Sequence, residues 1–203
     1  MQSRVQYVVV MGVSGSGKTE VARRIAKATG SHWLDADDYH PVENIEHMRR
    51  GQPLNDDMRW PWLSAVAMGA QARTTADEAG SADLAELPMV LIACSALKRR
   101  YRDYLCRKLP SVTFLFLDGT REVIQTRLEN RVGHFMPSAL LDSQLADLEP
   151  PGPDESCVTV SIDAPIETVV AVAIDRLAAH ENSDFSILKD NTAGKPELQG
   201  EDK

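Results

Sequence analysis

VQYVVVMGVSGSGKTEVARRIAKATG, residues 5–30, decides the architecture of this chain. Its first seven residues are a short β-branched apolar run, the pattern of a strand buried on both faces of a parallel sheet. The run ends in glycines. From Lys18 the spacing changes to a helical period that places Val21, Ala22, Ile25, Ala26 and Thr29 on one face, and Gly30 is a natural stop. Between strand and helix, Gly12-Val13-Ser14-Gly15-Ser16-Gly17-Lys18-Thr19 fits G-x-x-x-x-G-K-[ST] in the strand–loop–helix context which that motif requires. Glycines let successive main-chain N–H groups curl inward at phosphate oxygens, and the helix behind adds the positive end of its dipole. All eight residues are therefore candidates for holding a triphosphate. Lys18 is placed to reach the β- and γ-phosphates, and the Thr19 hydroxyl to ligate Mg²⁺.

Working outward, the same alternation repeats. Strands are predicted at residues 32–35, 89–93 (MVLIA), 113–117 (TFLFL) and 157–162. Helices are predicted from Pro41, over 60–76, 97–108, 120–131 and 138–148, and from Pro165 to about Ala179. Strands separated by helices throughout argue for an α/β fold, a mostly five-stranded parallel sheet with helices on both faces. Residues 1–180 read as a single domain, with a polar surface insertion near 74–88 and a disordered tail over 181–203.

The chain has 203 residues, 43% of them hydrophobic, a net charge of −8 and a pI of about 5.1. That overall field repels nucleic acid and anionic membrane, so bound phosphate must be held by local donors. No apolar run is long enough to span a bilayer and the N-terminal residues lead straight into strand, so a cytoplasmic location is expected. Cys94, Cys106 and Cys157 are widely spaced and read as reduced, mostly buried thiols.

Asp35, Asp37 and Asp38 follow the second strand. If that strand persists, Asp35 and Asp37 point to opposite faces at its C-terminal end, flanking the phosphate loop. Asp37 is then the base or substrate-orienting residue and Asp35 the metal-side partner, although the same carboxylates would also serve as caps for the next helix. Trp60 and Trp62 read as core or pocket wall. Ser95 and Lys98 stand at the end of the third strand, where open parallel sheets place ligands. Arg99, Arg100 and Arg102 read as a solvated basic helix face.

Five blocks, MGVSGSGK (11–18), LDADDYHP (34–41), GQPLNDDMRWPWL (51–63), CSALKRRYRD (94–103) and RLENRVGHF (127–135), together resemble gluconate kinases. The resemblance implies a three-layer P-loop kinase fold with a mobile lid, at about 127–150, related to shikimate and nucleoside monophosphate kinases. It implies transfer of the ATP γ-phosphoryl group, with Mg²⁺, to O6 of D-gluconate, and a homodimer. A gluconate acceptor implies in turn a cationic fork, for which Arg59, after the loop beside the expected acceptor pocket, is the candidate carboxylate or hydroxyl clamp, with His40, Asn55 and Asp56 as further candidates for its hydroxyls. By analogy with monophosphate kinases, Arg127 would stack on adenine and Arg131 would reach the phosphates as the lid closes; a surface arginine pair that meets Glu129 or Asp118 is the other reading of the two. His134 reads as lid packing. Two other functions compete: a kinase for shikimate or a nucleoside monophosphate, and a nucleotide-gated switch. The segment 34–41 is acidic where a monophosphate would need cations, and no N-K-x-D base-reading motif is present.

Overall fold

The strand before the phosphate loop, β1 (Gln6–Met11), is buried along its whole length. The computed structural model describes residues 5–75, 89–129 and 138–192, with the side chains of 75, 138–140 and 181–192 excepted. Val8 and Val10 enter one core, and Tyr7, Val9 and Met11 the other, because successive side chains of a strand alternate faces. Both faces need cover, and helices supply it.

The remaining strands are β2 (His32–Asp35), β3 (Met89–Ala93), β4 (Val112–Asp118) and β5 (Cys157–Ser161). They form one parallel sheet in the order β2-β3-β1-β4-β5, with Val8 paired to Leu91 on one side and to Thr113 on the other. On the first face pack α1 (Lys18–Thr29), through Val21, Ala22, Ile25 and Ala26, and α7 (Ile166–Thr192), through Val169, Ala173 and Leu177. α5 (Arg121–Glu129) and α6 (Ser138–Asp147) add Ile124 and Leu141 to that core. On the second face lie α3 (Asp56–Thr75), through Trp62, Leu63, Val66, Ala67 and Ala70, and α4 (Arg99–Lys108), through Tyr101 and Leu105. The α/β sandwich expected from the periodicity is the one observed.

Several local expectations are corrected. β2 stops at Asp35 and a 3₁₀ turn, Ala36–Tyr39, takes over before α2 (Val42–Arg49), so Asp35 and Asp37 do not alternate along a strand. α3 starts at Asp56 rather than Trp60: the Asn55 side chain accepts from Met58 N at 3.0 Å, capping the helix, and Pro61 is accommodated inside it. α7 continues to Thr192, past the end expected near Ala179. Cys106 is exposed, unlike Cys94. Most of the expected insertion, and Arg131 and His134 of the expected lid, lie outside the described residues.

Candidate active site

The C-terminal ends of β1, β2 and β3 converge on one edge of the sheet, and the phosphate loop springs from the central one. Gly12 has φ +144°, and a Cβ there would stand 3.0 Å from the Leu117 carbonyl oxygen, so the loop leaves β1 along a path that only glycine fits. Its N–H donates to Ser95 O at 3.3 Å, tying the loop to the end of β3. Gly15 faces α5, where a Cβ would come within 2.8 Å of Leu128. Lys18 opens α1 and turns its Nζ back to the Val13 carbonyl at 3.1 Å.

Thr19 and Asp35 meet directly: the hydroxyl donates to Asp35 Oδ2 at 2.7 Å, while Asp35 Oδ1 accepts from Asp37 N at 3.0 Å. The carboxylate therefore caps the 3₁₀ turn and also accepts from the Thr19 hydroxyl of the phosphate loop. Capping turns the chain so that the Asp37 side chain stands out of the turn, 88% exposed, with His40 Nε2 at 3.8 Å from its Oδ1. The cleft around it still thins the surrounding water. Burial first, and the Asp35 charge second, raise the Asp37 carboxyl above its ordinary value, with Lys18 and His40 opposing. Direct contact with water keeps that rise limited.

The His40 side chain is only 6% exposed. Its ring stacks on Trp62 at 4.3 Å and 13°, and its Nδ1 has no hydrogen-bond partner within the chain. Burial pushes its pKa down, Asp37 opposes, and the Arg59 charge adds to the fall, so the imidazole is neutral at physiological pH. Trp62 is anchored by donation from Nε1 to Ala36 O at 2.7 Å, which makes it pocket wall, as expected.

Arg59 donates from Nη1 to the Tyr101 hydroxyl at 3.0 Å, and that hydroxyl donates to Asp56 Oδ1 at 2.7 Å. Arg100 closes on Asp56 Oδ2 at 2.8 Å. Asp56 is thus bound to its own cation and Asn55 to its helix cap, so neither is presented as a hydroxyl contact. Lys18, Thr19, Asp35, Asp37, His40 and Arg59 are brought to one cleft; Lys98 is tied to Asp147 on α6 at 2.8 Å instead. Asp38 is exposed.

Arg127 reaches the loop from α5. It donates to the carbonyls of Ser16 at 3.4 Å, Ile162 at 2.5 Å and Ala164 at 3.2 Å, bridging the phosphate loop to the turn between β5 and α7. Among the described residues Arg127 pairs with neither Glu129 nor Asp118, and Glu129 accepts from Gln125 Nε2 at 2.8 Å; Arg131 lies outside the described residues.

The chain matches no family model. It is 44% identical over 168 residues to the thermoresistant gluconokinase of Escherichia coli K12, covering 82% of this chain and 90% of that one. The crystal structure of a gluconokinase from Sinorhizobium meliloti 1021 superposes with a TM-score of 0.75 at 41% identity, over 92% of this chain and 99% of the other. This chain belongs to the gluconokinase family. An unliganded sugar kinase from Janibacter, 46% identical with a TM-score of 0.74, covers 86% of this gluconokinase-family chain and 95% of its own. The chain is accordingly an enzyme, and a kinase.

Three functional elements were not legible beforehand. Arg102 is 1% exposed rather than on a solvated face, and bonds Glu155 twice, at 2.6 and 2.9 Å. Tyr101 bridges Arg59 to Asp56 through its hydroxyl. Gln144 on α6 accepts from the main-chain N–H of Ser14 at 2.7 Å. Nothing in a single sequence brings residues 14 and 144 together.

Proposed function

We propose that this chain transfers the γ-phosphoryl group of ATP to O6 of D-gluconate, giving 6-phosphogluconate. The carrying observation is the shared cleft. A lysine-bearing phosphate loop faces a water-accessible carboxylate, Asp37, whose acceptor side holds a neutral imidazole and an arginine.

The loop amides and Lys18 hold the β- and γ-phosphates, Lys18 exchanging the Val13 carbonyl for phosphate oxygens. Arg127, already seated against Ser16, flanks the nucleotide side, and Arg131 belongs to the same reading. Among the described residues no cluster of three or more His, Cys, Asp or Glu could cage a metal. Mg²⁺ does not require one: it takes oxygen donors, keeps several waters and binds mainly through phosphates. The Thr19 hydroxyl and Asp35 carboxylate, both hard oxygen donors 2.7 Å apart, fit that partial demand and would hold the ion or its waters. When bound, Mg²⁺ offsets charge on the β- and γ-phosphate oxygens.

On the acceptor side, Asp37 takes the proton from the attacking hydroxyl, and its raised pKa makes it a stronger base than an ordinary aspartate. Arg59 clamps the gluconate carboxylate, held in direction by Tyr101. The unpartnered Nδ1 of neutral His40 suits a polyol hydroxyl, which can donate or accept. Ser95 and Lys98 complete the acceptor-side reading, Lys98 on release from Asp147. A homodimer in the cytoplasm completes it; among the described residues no helix is long and apolar enough to cross a membrane.

A coupled ADP-release assay over gluconate, other aldonates, shikimate and nucleoside monophosphates tests the proposal. Turnover should rise with gluconate above the rest. Preference for a monophosphate or shikimate would overturn it.

A further inference from the structure

The third residue of the phosphate loop already has an acceptor. Ser14 N–H donates to Gln144 Oε1 at 2.7 Å, across 130 residues of sequence. An inward-facing loop amide is a donor for anions, and a carboxamide oxygen is the neutral side-chain group closest in character to a phosphate oxygen. Gln144 is half-buried on α6, and that helix is fastened on both sides of it. Asp142 pairs with Arg121 of α5 at 2.9 Å, and Asp147 with Lys98 at the head of α4 at 2.8 Å. One helix thus lays an amide oxygen on a main-chain donor of the phosphate loop and a carboxylate on the Lys98 cation. Both partners are groups that an anionic ligand would claim.

We propose that Gln144 is a positioning residue that occupies the Ser14 N–H in the ligand-free chain and surrenders it to a phosphate oxygen when nucleotide binds. Nucleotide binding and detachment of α6 at Gln144 are then one event. This rests on the nucleotide reading of the loop given above. The neutrality of the acceptor matters. An ordinary hydrogen bond opposes ligand binding by roughly three- to tenfold, which a triphosphate overcomes, whereas a carboxylate in the same place would hold the N–H more strongly and add like charge.

Isothermal titration of ADP with Mg²⁺ into the full chain, compared with Gln144→Ala, Gln144→Leu and Gln144→Glu, tests this. Alanine and leucine should bind ADP roughly three- to tenfold more tightly than the parent, because no contact has to be broken. Glutamate should bind it more weakly. Hydrogen exchange of the α6 amides should quicken on adding ADP to the parent and change little in Gln144→Leu. Damage to packing would not tighten binding, so equal or weaker ADP affinity in both the alanine and leucine variants overturns the proposal. Absence of ADP binding by the parent would instead sink the nucleotide reading itself, and the inference with it.

Discussion

Asp37 owes its chemistry to its neighbours rather than to its type. As an aspartate held in a cleft beside Asp35, its carboxyl is raised above 3.8, and a base works only when deprotonated. Turnover should therefore fall as pH drops through that raised value, placing the acid limb of kcat/KM above the usual aspartate range, and Asp37→Asn should remove the limb. That variant should also lose about 10²- to 10⁴-fold in kcat, the span of general-base catalysis, while ADP affinity stays within about twofold. Lys18→Ala should nearly abolish transfer with far-UV circular dichroism unchanged, since Lys18 handles charge and not core. Arg59→Ala should raise the KM for gluconate far more than that for ATP; equal rises would remove the clamp. The types and order of these residues were legible because the loop motif and the acidic segment are local. The partnership of Arg59 with Tyr101 was not, because its 42-residue separation is closed only by packing of α3 on α4.

At the scale of elements, α4 shows where reading a charge run as solvent-facing fails. Arg102 projects inward, donating to the carbonyls of Ala96 at 3.2 Å and Leu97 at 3.1 Å as well as to Glu155. Ala96 sits at φ +43°, a left-handed conformation costly for a residue with a Cβ, which persists only where surroundings over-determine it. Arg102 is one of those surroundings, and Ser95 beside it carries the acceptor for Gly12 N–H. Arg102→Ala should cost at most about 3–5 kcal/mol in urea unfolding, because Glu155 keeps only the Gly152 N–H at 2.8 Å and the more distant Arg99 at 3.7 Å. Restoring stability through a second change, Glu155→Gln, would show the charge to be the cause. The strands themselves were readable to within a residue or so: burial on both faces writes apolar runs in β1, β3 and β4, and β5 at the sheet edge alternates buried and exposed residues. The start of α3 was not: Pro61 pulls the eye to a later beginning, whereas Asn55 and its cap set the true one. Gly69 on α3 has a similar hidden constraint, its missing side chain leaving room for the Tyr39 ring, which a Cβ would approach to 2.3 Å. Gly69→Ala should destabilise by about 1–3 kcal/mol, as overpacking does.

For the whole molecule, acid sensitivity follows from which carboxyls fold depressed. Glu20, between Arg23 and Arg24, is lowered from 4.5 to about 2. Glu155 is also lowered, burial opposing but the Arg102 hydrogen bond and charge prevailing. A depressed carboxyl stabilises the fold above its unfolded value and loses that contribution as pH falls through the folded one. Stability should hold from neutrality to about pH 4.5 and then decline, with the exposed Glu20 contributing little of the slope. Asp37 works in the opposite sense, its raised carboxyl making the fold slightly easier to keep once protonated. The layered architecture was legible from the alternation of periods, but the strand order was not, since β1, β3 and β4 all read as apolar runs and nothing local says which of them is central. That order has a consequence for synthesis. β1 occupies the middle of the sheet, yet Val8 finds its neighbours only in Leu91 and Thr113. On the ribosome this fully buried strand therefore emerges ahead of both its sheet neighbours, so nascent chains should lean on chaperones until β3 and β4 appear.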